Sequence, residues 1–141
     1  MRMMGLDIGE RRIGVALCDA EEILASPHSI IIRETDEAAI EKIDGMVKLY
    51  NIKRIVIGVP YSLNNTSTDQ TVKTKSFINK IEKVLDDIDV VLQDERLTTV
   101  EAQKLIQSHG SKRSKKKVHI DDAVASLILQ SYLDYHDKGA A

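Results

Sequence analysis

Residues 3–17 read MMGLDIGERRIGVAL, two short apolar runs separated by a glycine-containing turn. The first run, Met3 to Ile8, carries one carboxylate at Asp7, and the second run begins directly after the four residues Gly9 to Arg12. Two apolar runs with so short a connection predict an antiparallel β-hairpin. Because burying a carboxylate without a partner is costly, Asp7 is either a turn residue that accepts backbone hydrogen bonds or part of a metal or phosphate site.

The composition indicates an ordinary globular protein. The 141 residues are expected to form one domain spanning 1–141, with 43% apolar and 30% charged residues. The net charge of −2 does not indicate a nucleic-acid partner, yet five of the 20 basic residues lie between Lys112 and Lys117. The single cysteine, Cys18, is expected to pack in the core of a cytoplasmic protein. We expect neither a signal peptide nor a membrane span.

The hydrophobic pattern predicts the remaining elements. A third apolar run from Ile23 to Ile32 extends the hairpin to a meander, and Pro27 within it predicts an edge position or a bulge. Helical periodicity follows the capping residue Thr35 and recurs later in the chain. The further predicted elements are a strand buried on both faces at 54–59, a helix around 77–85, a strand at 90–92, a helix from Thr98 and a buried helix over 121–135. The order βββαβαβαα predicts an α/β fold, a five-stranded mixed sheet flanked by helices.

Acidic residues lie at the ends of three predicted elements. They are Asp7 at the end of the first strand, Asp94 and Glu95 at the end of the fifth, and Asp121 and Asp122 at the start of the last helix. Hard cations such as Mg²⁺ prefer carboxylate oxygens, and a pair of such ions about 3.5–4 Å apart promotes phosphodiester hydrolysis. Purely structural roles stay open, because acids favour the positive end of a helix dipole and Glu95 can pair with the adjacent arginine.

The segment 112–117, KRSKKK, is either a phosphate clamp beside this acidic site or a solvated loop. No aromatic residues are interleaved with it, so stacking on bases is not expected. The histidines have no partners at metal-ligand spacing, which argues against a zinc site.

Four motifs together resemble the YqgF/RuvX family, in order and spacing, over about residues 3–133. They are GLDIG at 5–9 with RIGVA at 12–16, IGVP at 57–60, DERLTT at 94–99, and Asp121 followed by Ala125 and ILQ at 128–130. These small bacterial proteins are described as candidate Holliday junction resolvases and as nucleases that mature the 5′ end of pre-16S rRNA. The resemblance implies an RNase H-like fold and a metal-dependent nuclease.

The resemblance also implies the residues of the site. The catalytic and metal-binding set would be Asp7, Glu95 and Asp121, with Mg²⁺ or Mn²⁺ as cofactor. Nucleic acid would be bound by Arg12 and Arg96 and by the basic segment, namely Lys112, Arg113, Lys115, Lys116 and Lys117. Two positions differ from related patterns: Glu10 stands where the family usually has a small hydroxyl residue, and Gly58 stands where RuvC-type resolvases carry a second acid.

The expected function is a nuclease that acts in 5′-end maturation of pre-16S rRNA. A resolvase acting on four-way DNA and a non-catalytic nucleic-acid-binding or ribosome-assembly module are the alternatives. An actin-like phosphotransferase also begins with an Asp-x-Gly hairpin, but it needs two lobes. The expected partner is nucleic acid rather than a membrane, and the protein is expected to be a monomer or a homodimer.

Overall fold

The computed structural model describes residues 1–59, 69–94 and 120–140, without the side chains of 69–71, 94, 120–122 and 136–140. The described elements are β1 (Arg2–Ile8), β2 (Arg12–Cys18), β3 (Ala25–Ile32), α1 (Asp36–Leu49), β4 (Ile52–Val59), α2 (Asp69–Val84), β5 (Asp89–Asp94) and α3 (Ile120–Ala140). The predicted loop at 60–68, the predicted helix from Thr98 and the basic segment 112–117 lie outside the described residues.

The described strands form one sheet in the order β3-β2-β1-β4-β5. Strand β2 pairs with β1 and with β3 in antiparallel fashion. Strand β4 pairs with β1 and with β5 in parallel. The predicted mixed sheet is therefore confirmed, with β1 at its centre. Consequently the carboxyl ends of β1, β4 and β5 meet at one edge of the sheet.

The strand β3 lies at the edge of the described sheet and is bulged, as Pro27 predicted. Its register shifts so that Val15 pairs with Ser29 and Ala16 with Pro27. The prediction that this strand starts at Ile23 was wrong. The Asp19 carboxylate accepts hydrogen bonds from the amides of Ile23 and Leu24, at 2.8 and 3.2 Å, and holds them in a turn before β3.

Alternate residues of β1 pack into two separate cores, one on each side of the sheet. Met4, Leu6 and Ile8 join the side chains of α1 and α2 in the first core. Met3 lies in the second core, which α3 covers. Cys18 belongs to this second core, and burial raises the pKa of its thiol.

The helix α1 begins as its sequence predicts. The Thr35 hydroxyl accepts a hydrogen bond from the Ala38 amide at 3.0 Å, and Asp36 and Glu37 occupy the first turn. Within the described ranges, none of the helices combines the length and the apolar character that crossing a lipid bilayer requires.

Candidate active site

Asp7 is the penultimate residue of the central strand, at the edge where the parallel strands end. Its Cα is paired with Gly14 of β2 on one side and with Gly58 of β4 on the other. The residue is 9% exposed, so its carboxylate belongs to the interior rather than to a solvated turn. The hairpin predicted around Asp7 is thus present, and it delivers the carboxylate to the carboxyl edge of the sheet.

The carboxylate of Asp7 lies on the side of the sheet that α3 covers. Strand alternation puts Met3, Gly5 and Asp7 on the same face. An added Cβ on Gly5 would lie only 2.8 Å from the Ala125 carbonyl oxygen and 2.8 Å from Leu129 Cβ. The backbone of α3 therefore passes directly over β1, two residues before Asp7.

The direction of α3 brings its first turn toward Asp7. Tyr132 accepts a hydrogen bond from Arg54, whose Cα pairs with Met3 near the start of β1, while Ala125 lies over Gly5. The helix thus runs antiparallel to β1. One turn of helix, about 5.4 Å, roughly matches the 6.6 Å covered by two strand residues. The backbone of Asp121, one turn before Ala125, is consequently level with Asp7, whereas its side chain is outside the described part.

Position 58 cannot supply a second acid in this chain. Gly58 is the direct neighbour of Asp7 in the β1–β4 ladder, but a Cβ there would lie 2.3 Å from Ile128 Cδ1. The space beside Asp7 that a RuvC-type acid would use is filled by an apolar side chain of α3. A further carboxylate from the sheet itself has to come from beyond this neighbouring strand.

The end of β5 is the next place along this edge. β5 lies beyond β4, two strand spacings or about 9–10 Å from β1. Asp94 is its last residue and pairs with Val59. Glu95 follows directly in the sequence and lies outside the described residues, as do Arg96, Lys112, Arg113, Lys115, Lys116 and Lys117.

Glu10 in the hairpin turn and Arg12 directly after it lie in different surroundings. Arg12 begins β2 and is exposed at the edge that holds Asp7. Glu10 lies 3.9 Å from the Lys73 ammonium of α2, on the opposite side of the sheet from α3. Both side chains of this pair are largely exposed, so the interaction is weak.

Arg33 was not identified from the sequence, although it holds the hairpin turn. Its guanidinium donates to the Gly9 carbonyl oxygen at 2.9 Å and to Asp36 at 3.1 Å, and it lies 4.5 Å above the Phe77 ring. The side chain is only 7% exposed. Burial raises the pKa of Asp36, but hydrogen bonds from Lys80 and Arg33 outweigh it and leave that pKa below its usual value.

A cleft of about 520 Å³ lies between the hairpin turn and α2, on the side away from α3. It is lined by basic and acidic side chains in similar number and does not include Asp7. In the described part of the chain, no three carboxylate, histidine or cysteine side chains converge on one point. Asp7 is a hard oxygen donor suited to Mg²⁺ or Mn²⁺, and its partners in a metal site would have to come from the first turn of α3 and from residues after β5.

Solved structures share this fold. The chain resembles Thermus thermophilus RuvC in complex with a Holliday junction substrate, with a TM-score of 0.58 at 12% identity, covering 100% of this chain and 98% of that one. It also resembles the Fowlpox virus resolvase bound to Holliday junction DNA, with a TM-score of 0.56 at 15% identity over 96% and 99% of the two chains. The fold is that of the RNase H-like nucleases, as predicted.

Sequence comparison identifies the family within this class. The RuvX family, described as Holliday junction resolvase, matches residues 1–135. A protein of Halothermothrix orenii, named as a candidate pre-16S rRNA nuclease, is 41% identical over 138 residues, 98% of each chain. The chain belongs to the RuvX family, and the resemblance seen in its motifs is confirmed.

Proposed function

We propose that the protein is a divalent-metal-dependent nuclease that hydrolyses phosphodiester bonds in 5′-end maturation of pre-16S rRNA. The observation that carries this proposal is the inward-facing Asp7 at the carboxyl end of the central strand, level with the first turn of α3. Membership of the RuvX family and the name of the Halothermothrix orenii relative support the substrate.

The proposed catalytic and metal-binding set is Asp7, Glu95 and Asp121, with Mg²⁺ or Mn²⁺ as cofactor. When bound, the metal would lower the pKa of a water and neutralise charge on the scissile phosphate. The protein would fix the positions of its carboxylates. Asp7 is held by the backbone pairing of β1 with β2 and with β4. Gly5 allows α3 to pack closely against β1, with the backbone of Asp121 level with Asp7.

The proposed nucleic-acid contacts are basic and sequence-independent. Arg12 stands exposed at the same edge as Asp7. Arg96 and the basic residues Lys112, Arg113, Lys115, Lys116 and Lys117 would hold phosphates on either side of the cut. Affinity for the substrate should therefore fall steeply with salt. We place the protein in the cytoplasm as a single domain, monomeric or a homodimer.

A four-way DNA junction is the second candidate substrate. The family description and the resemblance to RuvC favour it. Resolving a junction symmetrically needs two sites related by a two-fold axis. The oligomeric state in the presence of each substrate is thus part of the test.

The test offers the purified protein a 5′-labelled pre-16S rRNA fragment and a four-way DNA junction, each with Mg²⁺, with Mn²⁺ and with chelator. Asp7→Asn is compared with Asp44→Asn, a matched change in α1 at a carboxylate that pairs with Lys48 at 3.1 Å. Loss of an outer-shell partner of a metal typically costs about 10–100-fold, so loss of a ligand should cost at least that much. Asp44→Asn should leave cleavage unchanged.

Each outcome points to one function. Cleavage of the rRNA fragment that needs metal and Asp7 supports the proposal, and cleavage of the junction alone favours the resolvase. Binding without cleavage, unaffected by Asp7→Asn, would favour a non-catalytic binding or ribosome-assembly module. Cleavage that survives Asp7→Asn would refute the mechanism.

A further inference from the structure

The turn that follows Asp7 is held by a side chain from outside the hairpin. Gly9 donates its amide to the Arg12 carbonyl oxygen at 2.8 Å, which closes the turn. A Cβ on Gly9 would lie 2.7 Å from that same oxygen, so the tight turn requires glycine. The Gly9 carbonyl oxygen then accepts its hydrogen bond from Arg33.

Arg33 donates two hydrogen bonds to the turn, and its guanidinium is held by contacts with other residues. Its main-chain amide donates to the Arg11 carbonyl oxygen at 2.8 Å, while its Nη1 donates to Gly9 at 2.9 Å. Its Nε donates to Asp36, and its guanidinium lies over the Phe77 ring. Asp36 is bound in turn by Lys80 at 3.1 Å. The hairpin turn is thereby attached to the connection between β3 and α1 and to the middle of α2, with little freedom left for Arg33.

The chemistry of this attachment requires arginine. A guanidinium offers donors in a rigid planar fork, so Nε and Nη1 can bind a carboxylate and a carbonyl at once. A lysine ammonium in the same place would keep the charge and the contact with Asp36, but it is a compact point charge without the fork. The turn begins two residues after Asp7, so it adjoins the end of the strand that carries the carboxylate.

We infer that Arg33 is a positioning residue for the metal site, setting the orientation of the Asp7 carboxylate by holding the Gly9 carbonyl from the opposite side of the sheet. This inference rests on the proposed function, in which Asp7 is a metal ligand. Outer-shell groups that orient a ligand typically change metal affinity by about 10–100-fold when they are removed. Arg33 therefore acts through the backbone of the turn without touching the metal or the substrate.

The chain supplies a matched control at the other end of the sheet. Arg54 donates Nε to Asp89 at 2.8 Å and Nη1 to the Tyr132 hydroxyl at 2.9 Å, the same fork to one carboxylate and one neutral oxygen. Arg54 pairs with Met3 at the start of β1, far from the hairpin turn. Arg54→Lys thus makes the equivalent change, loss of the guanidinium fork with the charge kept, without disturbing the turn.

The experiment measures Mn²⁺ affinity by calorimetry and amide hydrogen exchange by NMR in the wild type, Arg33→Lys and Arg54→Lys. Arg33→Lys should weaken Mn²⁺ binding about 10-fold, at the lower end of the outer-shell range, and should accelerate exchange of the Gly9 amide. Arg54→Lys should change neither quantity. In cleavage assays, Arg33→Lys should need about 10-fold more Mn²⁺ for half-maximal rate, and saturating Mn²⁺ should restore most of the rate.

The outcomes separate the two proposals. Equal Mn²⁺ affinity in Arg33→Lys and wild type, or equal weakening in both lysine variants, would overturn the positioning role alone. Faster Gly9 exchange with unchanged affinity would also overturn it, since the turn would then be loose without consequence for Asp7. A wild-type protein that binds no Mn²⁺ would overturn the proposed function and this inference together.

Discussion

Replacing Gly5 by alanine tests whether the close approach of α3 to β1 sets both the stability of the fold and the geometry of the candidate site. The new Cβ would lie 2.8 Å from the Ala125 carbonyl oxygen and 2.8 Å from Leu129 Cβ. Normal separations are about 3.3 Å for carbon to oxygen and about 3.5 Å for carbon to carbon, so α3 must move outward by roughly 0.5–0.7 Å. Neither atom can rotate away, because one is backbone and the other is bonded to it.

The expected cost follows from this displacement. Overpacking a core typically costs about 1–3 kcal/mol, and a clash with helix backbone belongs at the upper end. Alanine also restricts the unfolded chain, which offsets about 0.4–1 kcal/mol of the lost free energy of unfolding. We therefore expect Gly5→Ala to lower the free energy of unfolding by about 2 kcal/mol. Asp121 of the proposed metal-binding set belongs to α3, so we expect the Mn²⁺ affinity to fall as well.

Urea unfolding followed by circular dichroism measures this change, with an unchanged dependence on urea concentration. Gly45→Ala is the matched control. Gly45 lies within α1 with no atom within 4 Å of an added Cβ, so alanine there should stabilise by about 0.5–1 kcal/mol. A Gly5→Ala protein as stable as the wild type, or a destabilised Gly45→Ala protein, would refute the reasoning.

Three further changes test other contacts of the described chain. Gly58→Ala should destabilise the protein, because the new Cβ would lie 2.3 Å from Ile128 Cδ1. Ile128→Val removes that atom and should restore part of the lost stability. A double-mutant cycle in urea would show this as favourable coupling between the two positions. Thr35→Ala should lower the free energy of unfolding by about 1 kcal/mol through loss of the α1 cap, and an unchanged urea midpoint would contradict this. Burial raises the pKa of Asp36, but Lys80 and Arg33 together outweigh it and lower that pKa in the folded state. The stabilising effect of Asp36 is therefore complete above about pH 5 and is lost as the pH falls through the folded pKa. The difference in unfolding free energy between the wild type and Asp36→Asn should therefore shrink as the pH is lowered from about 6 to about 2.5, and a constant difference would contradict the role of the pair.

The parts of the fold that were predictable from sequence depend on local patterns. The apolar run at 54–59 indicated a strand buried on both faces, and β4 is such a strand. Thr35 indicated where α1 begins, and Pro27 indicated an irregular edge strand. These predictions depend on the spacing of apolar residues, on a helix cap and on the amide that proline lacks. Each of these effects acts within a few residues, so it can be predicted from the local sequence.

The start of β3 shows where such local reading fails. Ile23 and Leu24 fit a strand by hydrophobicity, yet they are 63% and 61% exposed. The competing effect was the chemistry of the turn, in which Asp19 accepts from two backbone amides and Glu22 takes a positive φ of 61°. An aspartate that bonds its own following backbone outweighs two apolar side chains that find no core to enter.

The candidate site was predictable only where a motif marks it. Asp7 was found because an acid in an apolar run is chemically unusual. Arg33 was missed because nothing in its own neighbourhood distinguishes it, and its bond to Gly9 joins residues 24 positions apart. The glycines at 5 and 58 belonged to recognised motifs, but what each one faces on α3 depends on packing between distant segments.

The covering of β1 by α3 joins parts of the chain that are synthesised at different times. Gln130 of α3 accepts a hydrogen bond from the Ala25 amide and donates one to the Ile23 carbonyl oxygen, which joins residues 105 and 107 positions apart. At about 5–20 residues synthesised per second, this face of the sheet lacks α3 for several seconds after β1 to β3 have left the ribosome. During that interval α3 does not yet lie opposite Asp7. Any nuclease activity that depends on Asp121 is therefore delayed until the last described helix has docked.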